Sequence, residues 1–370
     1  MNTTTLKSIK WESVNAIFST IAEADIISRA EIADATGLSL VTVGKVVDAL
    51  LDRNILHQEK EVRAAAGRRA GLLTLNANRF AIVLDLSCKD FRLSVIDLRL
   101  QLVEKLKYHY KAERFYEENL RSFLYETSVY LKKRYEMKNC FGIGVCTPGS
   151  YDPETDRADY SRIPEIKNIP LRRIISEYLP RQTIYLDASE NMAALSNISE
   201  VPDYRHKTIV YLFLSEEVAS GAIVVNGEFL HGCKRQTCDL GGIRLPGDVS
   251  YLTALRSAKT IDAFIPVTAP LVHLLIQILA PAAILMECET VREEREKVVP
   301  LLRDTLCQKY RYEPDTLPEL IGTCCKFRHA HRGIARTLRE MWLDKYIIHT
   351  EGTAADALSD IENTANTENE

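Results

Sequence analysis

Arg63, Arg68 and Arg69 fall in one short stretch, 59–70, between two apolar runs. Guanidinium groups on a loop tip suit contact with phosphate oxygens, or insertion into a narrow minor groove where the negative potential is enhanced. Upstream, Ser39, Leu40, Thr42 and Lys45 lie on the outer side of a helical pattern whose inner side is Val43, Val46, Val47 and Leu50. At the N-terminal end of a helix, such side chains meet base edges in the major groove. Both sets of residues point to double-stranded DNA as a partner. Arginines in a solvated loop would look the same in isolation, so the surrounding elements decide.

Those elements are ordered helix, helix, turn, helix, β-ribbon. Over 6–24, Ile9, Val14, Ile17, Phe18 and Ile21 recur at helical spacing. Ser28 stands three residues before Glu31, the spacing of a capping box, and opens a short second helix that carries Ile32 and Ala35 inward. Gly37 ends it, and Ser39 caps a third helix running to about residue 53. Gly44 is unexpected inside that helix, where glycine costs about 1 kcal/mol relative to alanine. Close approach of its backbone to DNA would account for it, and so would drift. Residues 55–58 and 71–75 read as two strands, which makes the basic stretch the tip of a wing. The pattern is a winged helix-turn-helix over residues 1–78.

A chain of 370 residues predicts two or three domains. Its formal charge of −4 is near neutral, so affinity for nucleic acid must come from a local patch. Acidic residues gather after Thr350 with no Lys or Arg, and 351–370 is expected to be a solvated, disordered tail. No uninterrupted apolar stretch approaches the ~18–20 residues of a membrane span, and the first residues do not open a secretory signal. The expectation is a cytoplasmic protein with no membrane partner. Nine cysteines, several inside apolar runs and none in a Cys-x-x-Cys pair, read as small buried hydrophobes, with no structural zinc and no other metal. His329 and His331, near a late helix start, receive no metal role. Tyr108, Tyr110, Tyr116, Tyr125 and Tyr130 read as packing residues with one wet edge. The apolar stretches 271–279 and 334–346 read as core, or as interface in a dimer.

After Asn78 strands alternate with helices. Residues 80–86, 91–98 and 102–110 form a three-strand meander, followed by a helix at 116–136 and a buried strand at 140–146. A further helix, strand and helix follow at 171–178, 183–187 and 189–196, and a second strand set opens at 208–214 and 221–225. Two such halves describe a duplicated ribonuclease-H-like α/β fold, the architecture of actin and hexokinase, over residues 79–350. At this point the order of motifs resembles the ROK family of repressors and sugar kinases. The resemblance rests on Gly67-Arg68-Arg69, Gly142-Ile143-Gly144-Val145 through Thr147-Pro148-Gly149, Asp152-Pro153-Glu154-Thr155, Asn168-Ile169-Pro170-Leu171, Asn191-Met192-Ala193-Ala194-Leu195, the hairpin 222–232, and Leu279-Ala280-Pro281-Ala282-Ala283-Ile284.

Departures from the family pattern carry as much information. A phosphate-holding loop needs glycine so that backbone N–H groups can approach the nucleotide. After the first strand this chain has Asp85-Leu86-Ser87-Cys88-Lys89. The second loop is Ser215-Glu216-Glu217-Val218-Ala219, whose carboxylates repel phosphate, and the third is Glu287-Cys288-Glu289. Aligned through Asn191, the family's Asn-Asp-Ala-Asn becomes Ala188-Ser189-Glu190-Asn191, so serine occupies the position of the catalytic base. Glu190 is expected to point off the opposite side of the helix start. The family's Gly-Glu-x-Gly-His becomes Cys238-Asp239-Leu240-Gly241-Gly242, which keeps an acid but loses the histidine zinc ligand. The resemblance therefore implies no catalytic residues, no cofactor and no metal. Ser189, Glu190, Asn191, Arg235 and Asp239 are the polar groups expected around a ligand, or else they cap helices and line a closed cleft.

The reading is a non-enzymatic transcription regulator, a repressor of carbohydrate-related genes. It binds operator DNA as a homodimer or higher homo-oligomer, with a carbohydrate as the candidate effector. Two rivals stay open: an ATP-dependent sugar kinase with an accessory DNA-binding head, and a DNA-binding protein that takes no ligand.

Overall fold

In the computed structural model, residues 3–59, 71–87, 90–161, 163–199, 201–204, 206–232, 238–324 and 326–347 are described. The wing tip with Arg63, Arg68 and Arg69, the segment with Arg235, and the acidic tail lie outside them.

The N-terminal unit forms where local signals and burial agree. Helix α1 (Thr3–Glu23) buries Val14, Ile17, Phe18 and Ile21. A short strand β1 (Ile27–Ser28), absent from the sequence reading, leads into α2 (Arg29–Thr36). The Ser28 N–H donates to Glu31 Oε2 at 2.8 Å and the Glu31 N–H to Ser28 Oγ at 3.3 Å, so the capping box is present. Gly37 ends α2 with a φ of 67°, a left-handed value that glycine adopts without Cβ strain. Ser39 Oγ accepts from the Thr42 N–H at 3.2 Å and caps α3 (Leu40–Asp52). Strands β2 (Leu56–Glu59) and β3 (Leu72–Leu75) pair antiparallel, and β1 joins the other edge of β3, giving the winged helix-turn-helix.

The rest of the chain repeats one sheet plan twice. In the first lobe β4 (Phe80–Asp85), β5 (Phe91–Asp97) and β6 (Leu102–Tyr108) form an antiparallel meander, followed by α4 (Tyr116–Arg134). Strand β7 (Cys140–Thr147) then pairs parallel with β4. The hairpin of β8 (Gly149–Asp152) and β9 (Arg157–Ser161) follows, then α5 (Leu171–Tyr178) and β10 (Ile184–Ala188), which pairs parallel with β7. Helix α6 (Ser189–Ser199) crosses to the second lobe. There β11 (Thr208–Leu214), β12 (Ala219–Val225) and β13 (Glu228–Phe229) repeat the meander. The small pair β14 (Arg244–Leu245) and β15 (Val249–Ser250) precedes α7 (Tyr251–Ser257) and α8 (Ile261–Leu279). Then β16 (Ala283–Cys288), α9 (Arg295–Tyr310) and β17 (Glu319–Gly322) complete the sheet, and α10 (Lys326–Ile347) closes the described chain. The two sheet orders, β10-β7-β4-β5-β6 and β13-β12-β11-β16-β17, are the same plan in orientation and sequence order. This is the duplicated ribonuclease-H-like fold of actin and hexokinase.

Two features go beyond the sequence reading. The β8–β9 hairpin turns on Asp152, whose Oδ1 accepts from the Glu154 N–H at 2.9 Å and whose Oδ2 accepts from Thr155 Oγ1 at 2.8 Å. Helix α8, though interrupted by Asp262, His273 and Gln277, is the described helix that comes nearest a membrane span in length and composition. Its 19 residues, with mean hydropathy 1.7, are long and apolar enough by composition. In the fold, Phe264, Thr268, Ala269 and Val272 of α8 are buried against the second sheet and α9, the packing of a core helix.

Apolar residues on the outer face of each sheet pack on α4 and α5, or on α7, α8 and α9. The inner faces share α6 and α10, and that core continues through Ile334, Ala335 and Leu338 into the N-terminal unit. Close contact requires small residues. A Cβ on Gly333 of α10 would lie 1.9 Å from the Met192 carbonyl oxygen of α6, and one on Gly144 of β7 would lie 2.8 Å from the Ile334 side chain. The N-terminal unit is tied down by three arginines. Arg79 donates to the Arg53 and Asn54 carbonyls, Arg99 to the Ala24 and Asp25 carbonyls, and Arg339 to the Leu98 carbonyl at 2.7 Å while its guanidinium sits 5.0 Å from the centre of the Phe18 ring.

Candidate functional site

Helix α6 starts where the two lobes meet, and its first turn forms one wall of a cleft. Pro148 and Ser150 follow β7 on one side, while Ala219, Ser220 and Asp239 face them from the second lobe, around a cavity of about 140 Å³. Glu190 and Asn191 line it, and Ser189 does not: Ser189 is fully buried behind them, with Oγ donating to Glu190 Oε2 at 3.0 Å. This corrects the expected direction of Glu190, which turns into the interior between the lobes.

The partners of Glu190 explain that direction. Its Oε1 accepts from Lys326 Nζ at 2.5 Å and from Ser220 Oγ at 3.1 Å. Lys326 opens α10, is buried, and has its ammonium 4.0 Å from the centre of the Phe213 ring. Desolvating two charges is costly, and only close pairing with further hydrogen bonds offsets it. The Lys326 backbone N–H donates to Glu287 Oε1 at 2.9 Å, and Tyr211 donates to Glu287 Oε2 at 3.3 Å. Burial pushes the Glu287 carboxyl above its ordinary range. The sequence reading missed Lys326, which lies 136 residues from Glu190. A lysine next to two cysteines and an apolar turn was its one available signal.

Asn191 is oriented by Asp187, whose Oδ1 accepts from Asn191 Nδ2 at 2.8 Å while its Oδ2 accepts from Tyr185 at 2.9 Å. Asp239 is exposed at the rim, where it bridges to Ser220 of β12. Three of the expected ligand groups, Glu190, Asn191 and Asp239, are therefore together.

Where the family resemblance places phosphate loops, this chain turns its own polar groups inward. In the turn after β11, Ser215 Oγ accepts from the backbone N–H groups of Glu217 at 3.3 Å and Val218 at 3.0 Å. Those N–H groups are of the kind that would cradle a phosphate. At the end of β4, buried Asp85 accepts from the Ser87 N–H at 3.0 Å, from Ser87 Oγ at 2.5 Å and from Arg92 at 3.3 Å, and it contacts His331 Nε2 at 3.1 Å. Burial alone would raise its pKa, but the hydrogen bond and charge of His331 and the Ser87 bonds hold it well below the usual carboxylate range. His331 Nδ1 in turn lies 3.0 Å from Ser94 Oγ. His329 turns elsewhere, to Ser196 Oγ at 3.4 Å. Tyr108 and Tyr116 are buried with their hydroxyls enclosed, which corrects the wet edge expected of them.

In the N-terminal unit, α3 presents Ser39, Leu40 and Lys45 outward, with Thr42 half-buried. Leu40 is 61% exposed and Val41, which the sequence reading passed over, is 69% exposed. Arg29 spans from α2 to Asp48 of α3 at 2.7 Å and links the two helices at the surface. Gly44 has open space around it, the Arg29 guanidinium lying 4.0 Å from where a Cβ would stand.

No family model matches the sequence. The chain is 23% identical over 203 residues to the xylose repressor of Bacillus spizizenii, covering 54% of this chain and 52% of that protein. It is 31% identical over 120 residues to the N-acetyl-D-glucosamine kinase of Citrobacter koseri, covering 32% of this chain and 38% of the kinase. The chain thus spans about half or less of the length of these relatives. Among solved structures, a ROK family transcriptional regulator described as a homologue of E. coli MLC protein superposes with a TM-score of 0.69 at 14% identity, covering 92% of this chain and 99% of that one. With a winged helix-turn-helix joined to a duplicated kinase-type fold and the motifs in order along the chain, the protein resembles the ROK family of repressors and sugar kinases.

Proposed function

We propose that this protein is a DNA-binding transcription regulator, a repressor of carbohydrate-related genes, whose kinase-like unit senses and assembles but does not phosphorylate. Residues 1–78 bind operator DNA, with Ser39, Leu40, Thr42 and Lys45 at base edges and Arg63, Arg68 and Arg69 at the backbone or minor groove. Residues 79–350 pair two copies and take a carbohydrate between the lobes, against Glu190, Asn191 and Asp239. The observation that carries the reading is the joint presence of an outward-facing recognition helix and a cleft whose phosphate-loop amides are spent on Ser215. A serine, buried and hydrogen-bonded to Glu190, stands where the family's catalytic base would be.

The test is binding of the full chain to duplex fragments from upstream of its own gene, beside Arg68→Ala/Arg69→Ala, at two salt concentrations. Specific binding that falls steeply with salt and drops in the variant is expected. No binding at low salt would remove the regulator reading. The kinase rival, favoured by the aligned N-acetyl-D-glucosamine kinase, predicts ATP binding by calorimetry, and we expect none. The ligand-free rival draws on the Glu190–Lys326 pair, which already satisfies one cleft wall. A thermal-shift screen of sugars separates it, since a ligand at about 100 times its Kd adds ~2.7 kcal/mol of stability.

A further inference from the structure

A second cavity, of about 440 Å³, lies between the start of α10 and the β5–β6 hairpin, away from the interlobe cleft. Its rim carries Lys105 from β6 and Arg328 and Arg332 from α10, with Leu100 and Gln101 at the turn and His331 in its floor. No carboxylate is among the described residues that line it. Asp97, on the same hairpin, turns its Oδ1 to the Gln101 N–H at 2.8 Å, and both ring nitrogens of His331 face Ser94 and Asp85. The charge lining the cavity is therefore positive.

The sequence of α10 makes this arrangement unusual. Arg328, Arg332 and Arg336 recur at i, i+4 and i+8, which places three cations along one side of the helix. Their field reaches Arg339, whose pKa is pulled down to about 10 by burial first and then by Arg336, with Glu340 and Asp97 opposing and Arg332 adding a smaller part. An anion held between α10 and β6 would lie against Arg328 and Arg332 on one side and Lys105 on the other. Guanidinium and ammonium groups converging from two elements match the tetrahedral oxygens of phosphate, Arg by paired N–H donors and Lys as a point charge.

We propose that this cavity is a second ligand site, for a small phosphate-bearing dianion. The opposing walls belong to the helix and the hairpin that hold the N-terminal unit. The hairpin reaches it through Arg99, and Leu98 accepts from Arg339 of α10. Bound phosphate draws these walls together. On the DNA-binding reading above, occupancy shifts operator affinity as well, but the site itself is tested without DNA.

Calorimetric titration of the full chain with inorganic phosphate, a hexose 6-phosphate and the unphosphorylated hexose is the experiment. Lys105→Gln and Arg328→Gln are exposed changes that leave the core intact, and Asp239→Asn probes the interlobe cleft. Saturable binding of a phosphate-bearing probe is expected, weakened about tenfold or more in both cavity variants and unchanged in Asp239→Asn. Tighter binding of the ester than of inorganic phosphate identifies a sugar phosphate, and equal binding identifies free phosphate. Each of these results would overturn the site: no saturation by either probe at roughly 10 mM, equal affinity in wild type and Arg328→Gln, or loss of binding in Asp239→Asn. Reduced DNA affinity and salt slope in Arg328→Gln, without phosphate binding, would overturn it in favour of a nucleic-acid contact.

Discussion

Lys326 sits where three parts of the chain meet: Glu190 at the start of α6, Glu287 at the end of β16, and α10, which it opens. Its value is conditional on its partner. Lys326→Met should lower unfolding free energy by about 3–5 kcal/mol, because Glu190 is left buried and uncompensated, while Lys326→Met/Glu190→Gln should recover much of that loss. Urea unfolding of the two variants checks this, and a single-variant loss under about 1 kcal/mol would mean that water reaches the pair. Asp85 gives a prediction in pH. Its folded pKa lies below its ordinary 3.8, so its contribution to stability is present above that value and is lost as pH falls toward the folded one. Asp85→Asn should therefore cost stability at neutral pH and flatten the loss seen below about pH 4. An unchanged acid limb in the variant would assign that limb to other carboxylates.

At the scale of elements, two glycines on helices should answer oppositely to alanine. Gly44→Ala adds a methyl in open space on α3 and should stabilise the protein by up to about 1 kcal/mol. If the helix backbone comes close to DNA, the same change weakens operator binding, and unchanged affinity would assign Gly44 to drift. Gly333→Ala drives a methyl into the Met192 carbonyl and should cost about 1–3 kcal/mol as α10 is pushed off α6, read as a fall in Tm. Element types were largely legible in the sequence. The capping box at Ser28, the Gly37 turn, the Ser39 cap and the run Thr208–Leu214 rest on local residues, which is why spacing reveals them. Strand β1 has two residues, too few for any period, and β8 and β9 are set by the Asp152 turn rather than by alternation. The site was legible only in part. Asn191 and Asp239 carried a motif, whereas the inward turn of Glu190 depends on a lysine distant in sequence, which no local pattern encodes.

For the whole molecule, the proposed operator binding is a local matter. The net charge of −4 gives no general attraction to DNA, so affinity should fall steeply between 50 and 200 mM salt with about one unit of log–log slope for each phosphate contact. A slope near zero by fluorescence anisotropy would leave the N-terminal unit as a protein-contact module. A dimer predicts two half-sites about one helical turn apart, ~34 Å, and footprints of wild type on spaced half-sites should be lost when half a turn is inserted.

The position of α10 also bears on how the chain comes to be folded. The first lobe's sheet is complete at Ala188, but its inner face is covered by Ile334 and Leu338 of α10, which arrive after the whole second sheet. Gly142 and Gly144 of β7 have no side chains of their own to fill the space those residues occupy. During synthesis the first lobe must wait, one apolar face open, until α10 has emerged. Contacts across so long a loop slow folding and expose intermediates to association. The two lobes, alike in plan, cannot mature in the order in which they are made: a chain stopped after β17 should accumulate as a collapsed, chaperone-dependent species rather than as a shorter native protein.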